Sequence, residues 1–440
     1  MDLELGKSVI KALHNGNVPS IGAGYIMAGH EEEKNKIVEE LEYIRFEKNK
    51  TSHSGFKMLY GPYGSGKSFL CEILKDEALA SNFVVSEVVI SRNTQLHNFE
   101  TVYNKIMAGL RTDEFREFSA FRIIIENWLN KSKKEIIKKF DLDPDENEKD
   151  EEKLVQKLEE KILIELGKAN TTNPSIINAV SGFYKAVING DHALAQNALG
   201  WLAGEQHVQT NFKKQMNVKG NVDKTNVFEF LRTLLYIIEQ SGYAGLLIII
   251  DEVETVRKER RDVRYQAYEN LRMLLDMVSK DNLPGCYLLL TGTDDLVEQE
   301  DRGIKEHDAL YTRLEPIRLG DIKVLDQPLM RLSRFDTQQL INVAKKVRDL
   351  HSSVYNWNAD DKISDTFITQ YATNFSKAFG KEISTLPRTF LKNFAFILEA
   401  AKTESMSKIK SLLNISEEQI QSVNKQIEQF GRETAMDIEL

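Results

Sequence analysis

Apolar positions change their spacing several times along this chain, and each change predicts an element. Residues 1–50 carry them three or four apart, with a break at Gly22-Ala23-Gly24, and predict helices, the second over Glu31–Phe46. Phe56-Lys57-Met58-Leu59-Tyr60 reads as a short strand, followed at once by glycines and by helical spacing from Ser68 to Leu79. Phe83–Ile90 is valine-rich, as a strand buried on both faces should be. From about Asn98 to Gln240 the spacing is helical, with no convincing strand. Strands return at Gly245–Ile250 and Cys286–Thr291, with a helix over Tyr265–Ser279 between them. From Asp336 onward the pattern is helical and closes on Ser416-Glu417-Glu418-Gln419, a capping box ahead of Ile420, Val423, Ile427 and Phe430. Strands alternating with helices predict an α/β fold, a parallel sheet with helices on both faces.

The length of 440 residues suggests two to four domains. Residues 1–50 would be helices leading into a core over 51–325, which carries a helical insertion at about 110–225, and 326–440 would form a helical lid with C-terminal helices. Lys plus Arg is 58 and Asp plus Glu is 67, a net charge of −9. Asp141–Glu152 alone holds eight acids and one lysine, so the rest of the chain is close to neutral. That excludes a strongly basic whole-chain nucleic-acid binder but leaves room for a local basic patch. The acidic run itself reads as a solvated loop or helix-hairpin tip. Cys71 and Cys286 lie in separate apolar runs, without a second cysteine or histidine cluster nearby, so neither a disulfide framework nor a cysteine-based metal site is expected. No apolar run approaches the roughly 20 residues a bilayer requires, no signal peptide is visible, and the reading places the protein in the cytoplasm without a membrane partner.

The chemistry is concentrated at two places. Gly61-Pro62-Tyr63-Gly64-Ser65-Gly66-Lys67-Ser68 fits G-x-x-x-x-G-K-[ST], between a predicted strand and the predicted helix over Ser68–Leu79, and with Phe69 makes up the expected nucleotide-binding segment. Glycines let backbone N–H groups close around phosphate oxygens, the helix N-terminus adds positive potential, Lys67 bridges the outer phosphates, and Ser68 ligates Mg²⁺. The partner of such a loop is an aliphatic strand ending in acid, supplied by Leu246–Ile250 and then Asp251-Glu252. Asp251 is placed to hold the Mg²⁺ of a bound ATP, and Glu252 to polarise the attacking water. Lys67 and Asp251 stand roughly 180 positions apart, whereas a strand–helix–strand unit takes about 30 residues, so the intervening helices must be an insertion. Tyr287–Thr293 ends in polar residues beside the Asp251 strand, where a hydroxyl can orient water or read the γ-phosphate; Thr293 is preferred and Thr291 is next.

These residues carry a resemblance. The phosphate loop, Asp251-Glu252, the strand ending Thr291-Gly292-Thr293, Ala309–Leu314 and a helical lid with Leu386-Pro387-Arg388 together resemble an AAA+ ATPase of the Orc/Cdc6-like branch. More narrowly, Gly29-His30-Glu31-Glu32-Glu33, Gly61–Phe69 and Gly200-Trp201-Leu202-Ala203-Gly204-Glu205 resemble the BrxD-like ATP-binding proteins of BREX phage-defence systems, over roughly residues 1–400. Where that family usually has an arginine ahead of the glutamates, this chain has His30. The resemblance implies an ATP hydrolase working in a ring or filament, with Arg313 reaching the γ-phosphate of a neighbouring subunit and Arg302 or Arg318 as substitutes. Arg388, projecting from the first turn of a helix that Pro387 suits and Thr385 or Ser384 can cap, matches a sensor of bound nucleotide. Prokaryotic anti-phage defence and a partner such as a helicase or another defence-system protein come from the resemblance alone.

A nucleic-acid surface has two candidate segments. Arg257, Lys258, Arg260, Arg261 and Arg264 follow the Mg²⁺-binding acid directly, and Lys213, Lys214, Lys219 and Lys224 form a looser group. Contacts of this kind go to phosphates and carry no sequence preference. The leading expectation is thus an Mg²⁺-dependent ATPase acting as an oligomeric switch or loader on DNA. The alternative is a STAND-like signalling scaffold that binds ATP and recruits a protein without touching DNA. Val180-Ser181-Gly182-Phe183 is too poor a match for an ABC-type signature, and the C-terminal region offers no second set of strands for a two-lobed helicase.

Overall fold

The computed structural model describes residues 3–46, 52–144, 147–169, 171–317, 324–379 and 386–413. Helix α1 (Leu3–His14) and helix α2 (Glu31–Ile44) precede strand β1 (Gly55–Tyr60), helix α3 (Lys67–Ala80) and strand β2 (Val84–Val89). The insertion follows as α4 (Phe99–Gly109), α5 (Phe121–Phe140), α6 (Glu148–Lys168), α7 (Pro174–Ile188), α8 (His192–Leu202), α9 (Thr210–Gln215) and α10 (Val227–Ser241). The sheet resumes with β3 (Leu246–Asp251), α11 (Arg261–Ser279), β4 (Cys286–Gly292), α12 (Asp294–Glu298), α13 (Asp308–Leu314) and β5 (Leu329–Arg331). The chain then continues through α14 (Thr337–Tyr355), α15 (Asp365–Phe379), α16 (Leu386–Thr403) and α17 (Met406–Ser411).

The five strands are all parallel, in the order β2-β3-β4-β1-β5. Strand β4 therefore separates the strand that feeds the phosphate loop from the one that ends in Asp251. Side chains alternate across the sheet and sort into two cores. Leu59, Leu247, Ile249, Tyr287 and Leu289 pack with α2 and α3 on one face, while Met58, Ile248, Ile250, Leu288 and Leu290 pack with α4, α11 and the insertion on the other. The chain is an α/β P-loop NTPase with a helical C-terminal region. Strand β5 was not legible in the sequence: it has three residues, follows Pro328, and is held by its register with β1, Met58 opposite Leu329 and Tyr60 opposite Arg331.

The insertion does not have a core of its own. Trp128, Trp201, Phe183 and Phe230 are buried in the same cluster as Val84 and Leu246 of the sheet. The segment Gly200–Glu205, noticed for its likeness to a family, closes α8 onto α4: Tyr103 Oη donates to the Leu202 carbonyl and Asn104 Nδ2 to that of Ala203, both at 2.9 Å. Trp201 donates from its indole to the Gly220 carbonyl at 3.0 Å. The acidic run is the tip between α5 and α6, where Asn147 caps α6 and Glu148, Asp150 and Glu151 fill its first turn, a favourable place for negative charge.

The C-terminal helices form a third core around Phe375, Phe390, Phe394 and Leu398, and α1 belongs to it through Val9, Ile10 and Leu13. Asp336 and Gln339 close a reciprocal capping box at the start of α14. Thr385, Ser384, Arg318 and the capping box at Ser416–Gln419 lie outside the described residues. Cys71 and Cys286 are free and buried. Among the described residues no helix is long and apolar enough to cross a membrane.

Candidate nucleotide-binding site

The phosphate loop leaves β1 at Gly61, whose φ of 154° and close approach to the Leu332 carbonyl exclude a side chain. It enters α3 through Gly66 in the left-handed region, φ 92°, so that the amides of the loop precede the helix N-terminus. Lys67 donates from Nζ to the carbonyls of Gly61 at 2.9 Å and Pro62 at 3.1 Å, folding back over the loop. Burial holds its amine below the usual lysine range, against the pull of Glu254 and Asp251. Ser65 is fully buried within the loop, and Ser68 is exposed at its end.

Register brings the acids to the same edge. Ile250 pairs with Leu290, so Asp251 sits beside Thr291, which donates from Oγ1 to Asp251 Oδ1. The Glu252 amide donates to the same Oδ1 at 3.0 Å and to Thr291 Oγ1 at 3.2 Å. Those bonds turn the backbone at Glu252 into the left-handed region, φ 58° and ψ 39°, and leave its side chain open to solvent. Burial of the carboxyl's surroundings and the neighbouring Asp251 raise the Glu252 pKa above the usual carboxylate range. Thr293, the residue the sequence ranks first, is 5% exposed, and its Oγ1 is buried without a hydrogen-bond partner. It is Thr291 that touches Asp251.

One acid escaped the sequence reading. Glu254, 9% exposed, stands on the short 3₁₀ helix Val253–Lys258 that follows Glu252, and burial pushes its carboxyl up to about 7. Its Oε2 is buried without a hydrogen-bond partner. The only signal was its spacing, three positions past Asp251. Lys67, Ser68, Asp251, Glu252 and Glu254 meet at one end of a pocket of about 470 Å³, together with Tyr63, Gly64, Gly66 and Phe69. The other end is apolar, with Leu13, Val18, Pro19 and Ile26 facing Phe335, Val343 and Leu391, and Pro387 and Arg388 also line it. A polar end rich in N–H donors joined to an apolar slot suits a nucleoside triphosphate, phosphates at the loop and base between the walls.

The donor set also fits Mg²⁺. It offers a hydroxyl at Ser68 and a carboxylate at Asp251, whose Oδ1 takes the bonds from Glu252 and Thr291, and among the described residues no group of three or more metal-ligating side chains forms a complete protein cage. A cation that keeps its waters and arrives with phosphates is bound in this way.

The remaining assigned residues lie apart. Arg388 is exposed at the rim of the pocket, on the first turn of α16. Arg313 is in the last turn of α13, its guanidinium paired with Asp276 of α11, and it lines a separate hollow with Ser54, Gly55 and Lys57 at the start of β1. That is the end of the sheet away from Gly61. Arg302 is exposed on the loop before α13.

The basic segment divides in two. Arg264 is 5% exposed and donates to both oxygens of Glu306, at 2.6 and 3.0 Å, and to the Glu259 carbonyl. It is an internal brace, and its assignment as a DNA contact is corrected here, because α11 begins at Arg261 and its turn points Arg264 inward. Arg257 is engaged by Asp295 and Gln299. Lys258, Arg260 and Arg261 face solvent, Arg261 within 3.2 Å of Glu306.

A loop of this geometry, with two acids at the end of a parallel strand one place removed in the sheet and a nucleotide-sized pocket, defines an ATP-binding P-loop protein. The family model of the BREX system ATP-binding protein BrxC/D matches residues 4–417, and the chain belongs to that family. Its ATP-binding role in phage defence follows from that membership. No curated protein matches the chain.

Proposed function

We propose that this chain is an Mg²⁺-dependent ATP hydrolase acting as an oligomeric, nucleotide-controlled switch or loader, engaging DNA without sequence preference and a partner such as a helicase. One observation carries the reading: the phosphate loop and both strand-end acids share a pocket whose facing wall is made of the C-terminal helices, through Phe335, Val343, Arg388 and Leu391. A nucleotide there touches both bodies, so losing the γ-phosphate changes the contacts between them. Glu252, solvent-open with a raised pKa, suits the task of polarising water, while Asp251 and Ser68 would hold Mg²⁺, which supplies charge neutralisation at the phosphates. Arg388, exposed on the lining of the same pocket, would sense the bound nucleotide. Arg313 stands too far around the sheet to serve its own loop, which supports a role in a neighbour's site and hence a ring or filament.

DNA contact rests on Lys258, Arg260 and Arg261, beside the site. The internal engagement of Arg257 and Arg264 takes two of the five basic residues from that surface and favours a second reading, a STAND-like scaffold that binds ATP and recruits protein without DNA. ATP turnover measured with and without single-stranded and duplex DNA separates them. Stimulation, with DNA binding that weakens steeply with salt, supports the first; turnover indifferent to DNA and no salt-sensitive binding sinks it.

A further inference from the structure

We infer that His30 is a positioning residue for the phosphate cradle: it anchors the Ser65 carbonyl on the outside of the loop and so aims the Gly66 N–H at the phosphates. His30 does not line the pocket, whereas Gly66 does. Its ring lies against the back of the loop, 7% exposed, with Nε2 2.9 Å from the Ser65 carbonyl oxygen and Nδ1 3.4 Å from Glu33 Oε1. A carbonyl only accepts, so Nε2 carries the hydrogen of that bond. In a trans peptide the carbonyl and the following N–H point in opposite directions. Fixing the Ser65 carbonyl toward His30 therefore turns the Gly66 amide to the inner side, where a phosphate oxygen needs a donor.

Two further observations show that the contact is built. His30 adopts the left-handed conformation, φ 62° and ψ 22°, directly after Gly29 at φ 94°, an arrangement that costs energy for a residue with a side chain and persists only where the surroundings fix it. Phe335, the residue before the cap of α14, meets the ring edge-on at 6.0 Å. Glu33 is itself 3% exposed. The ring is thus packed against Phe335 and bonded to the loop through Nε2.

The inference rests on the loop being the phosphate site, and the experiment keeps the two apart. Full-length wild type, Lys67→Ala, His30→Asn and His30→Gln are titrated with fluorescent ATP and ADP, and adenosine is used as competitor. Asparagine keeps the left-handed backbone but its amide stops short of Ser65, while glutamine carries an N–H donor farther out. His30→Asn is expected to weaken ATP and ADP about tenfold with adenosine competition unchanged, and His30→Gln to stay within about threefold of wild type. Wild type binding ATP no better than Lys67→Ala would overturn the phosphate site itself. With that site intact, the role of His30 is overturned if His30→Asn binds ATP like wild type, if glutamine fails to rescue, or if adenosine binding falls in parallel.

Discussion

At the residue scale, the site is a set of charges whose positions are fixed by single bonds. Lys67 is held by two loop carbonyls, and phosphate must exchange for them, so Lys67→Ala is expected to abolish measurable ATP binding in a direct titration. The two threonines make opposite predictions. Thr291 bonds to Asp251, and Thr291→Val should cut turnover about tenfold or more, the loss of one charge-assisted bond at the strand-end acid. Thr293 buries an unpartnered hydroxyl, and the nearly isosteric Thr293→Val removes a group that costs about 1–3 kcal/mol to leave unsatisfied. Its melting temperature should equal or exceed that of wild type, with turnover unchanged. Thr291 and Thr293 were both legible as candidates, but their order was not: only the register of β3 against β4 says which one reaches Asp251. Glu254 was missed for a related reason, since a six-residue 3₁₀ segment is too short to give a periodicity to read.

At the scale of elements, charge on α11 tests how the fold uses arginine. Arg264 is buried and Glu306 half-buried, so Arg264→Ala leaves that carboxylate with only the exposed Arg261 and should cost about 1–3 kcal/mol in chemical denaturation. Arg260→Ala and Arg261→Ala should each stay within about 0.5 kcal/mol of wild type, since exposed charges contribute little to stability, and should instead weaken DNA binding. A sequence shows five basic residues in a row of eight; it does not show which side of the first helical turn each one occupies. In the C-terminal core, His351 donates from one ring nitrogen to Glu399 and accepts the Trp357 indole N–H on the other, near Tyr355, Lys402 and His14. Burial holds its pKa below 6.5, so the unfolded chain takes up the proton first. Stability should therefore be fully present above pH 6.5 and fall as pH drops below it, by at most about 1.4 kcal/mol per pH unit for this group. Melting curves of wild type and His351→Gln between pH 5 and 8 check it, the variant losing that part of the acid dependence.

At the scale of the whole molecule, the parallel sheet, the helical insertion and the pairing of a glycine loop with strand-end acids were legible because each depends on local spacing. What was not legible depends on partners far away in sequence. Helix α1 reads as an amphipathic helix leading into the sheet, yet its apolar face lies in the core of α14 and α16, across the nucleotide pocket. Nothing in an apolar stripe names the surface that covers it. The same distance hides the apolar half of the pocket, which draws Val18 and Phe335 from opposite ends of the chain. Assembly belongs to this scale too. If Arg313 completes a neighbour's site, mixing Arg313→Ala with Glu252→Gln subunits should recover part of the turnover that each lacks alone.

The central claim is that Glu252, at the end of β3, activates water against ATP held by the phosphate loop. It is tested most directly by measuring ATP binding and turnover on the same preparation of Glu252→Gln. Binding is expected within a few-fold of wild type, with turnover reduced by about 10²-fold or more, the contribution of a general base. Turnover at the wild-type rate with binding intact would contradict it.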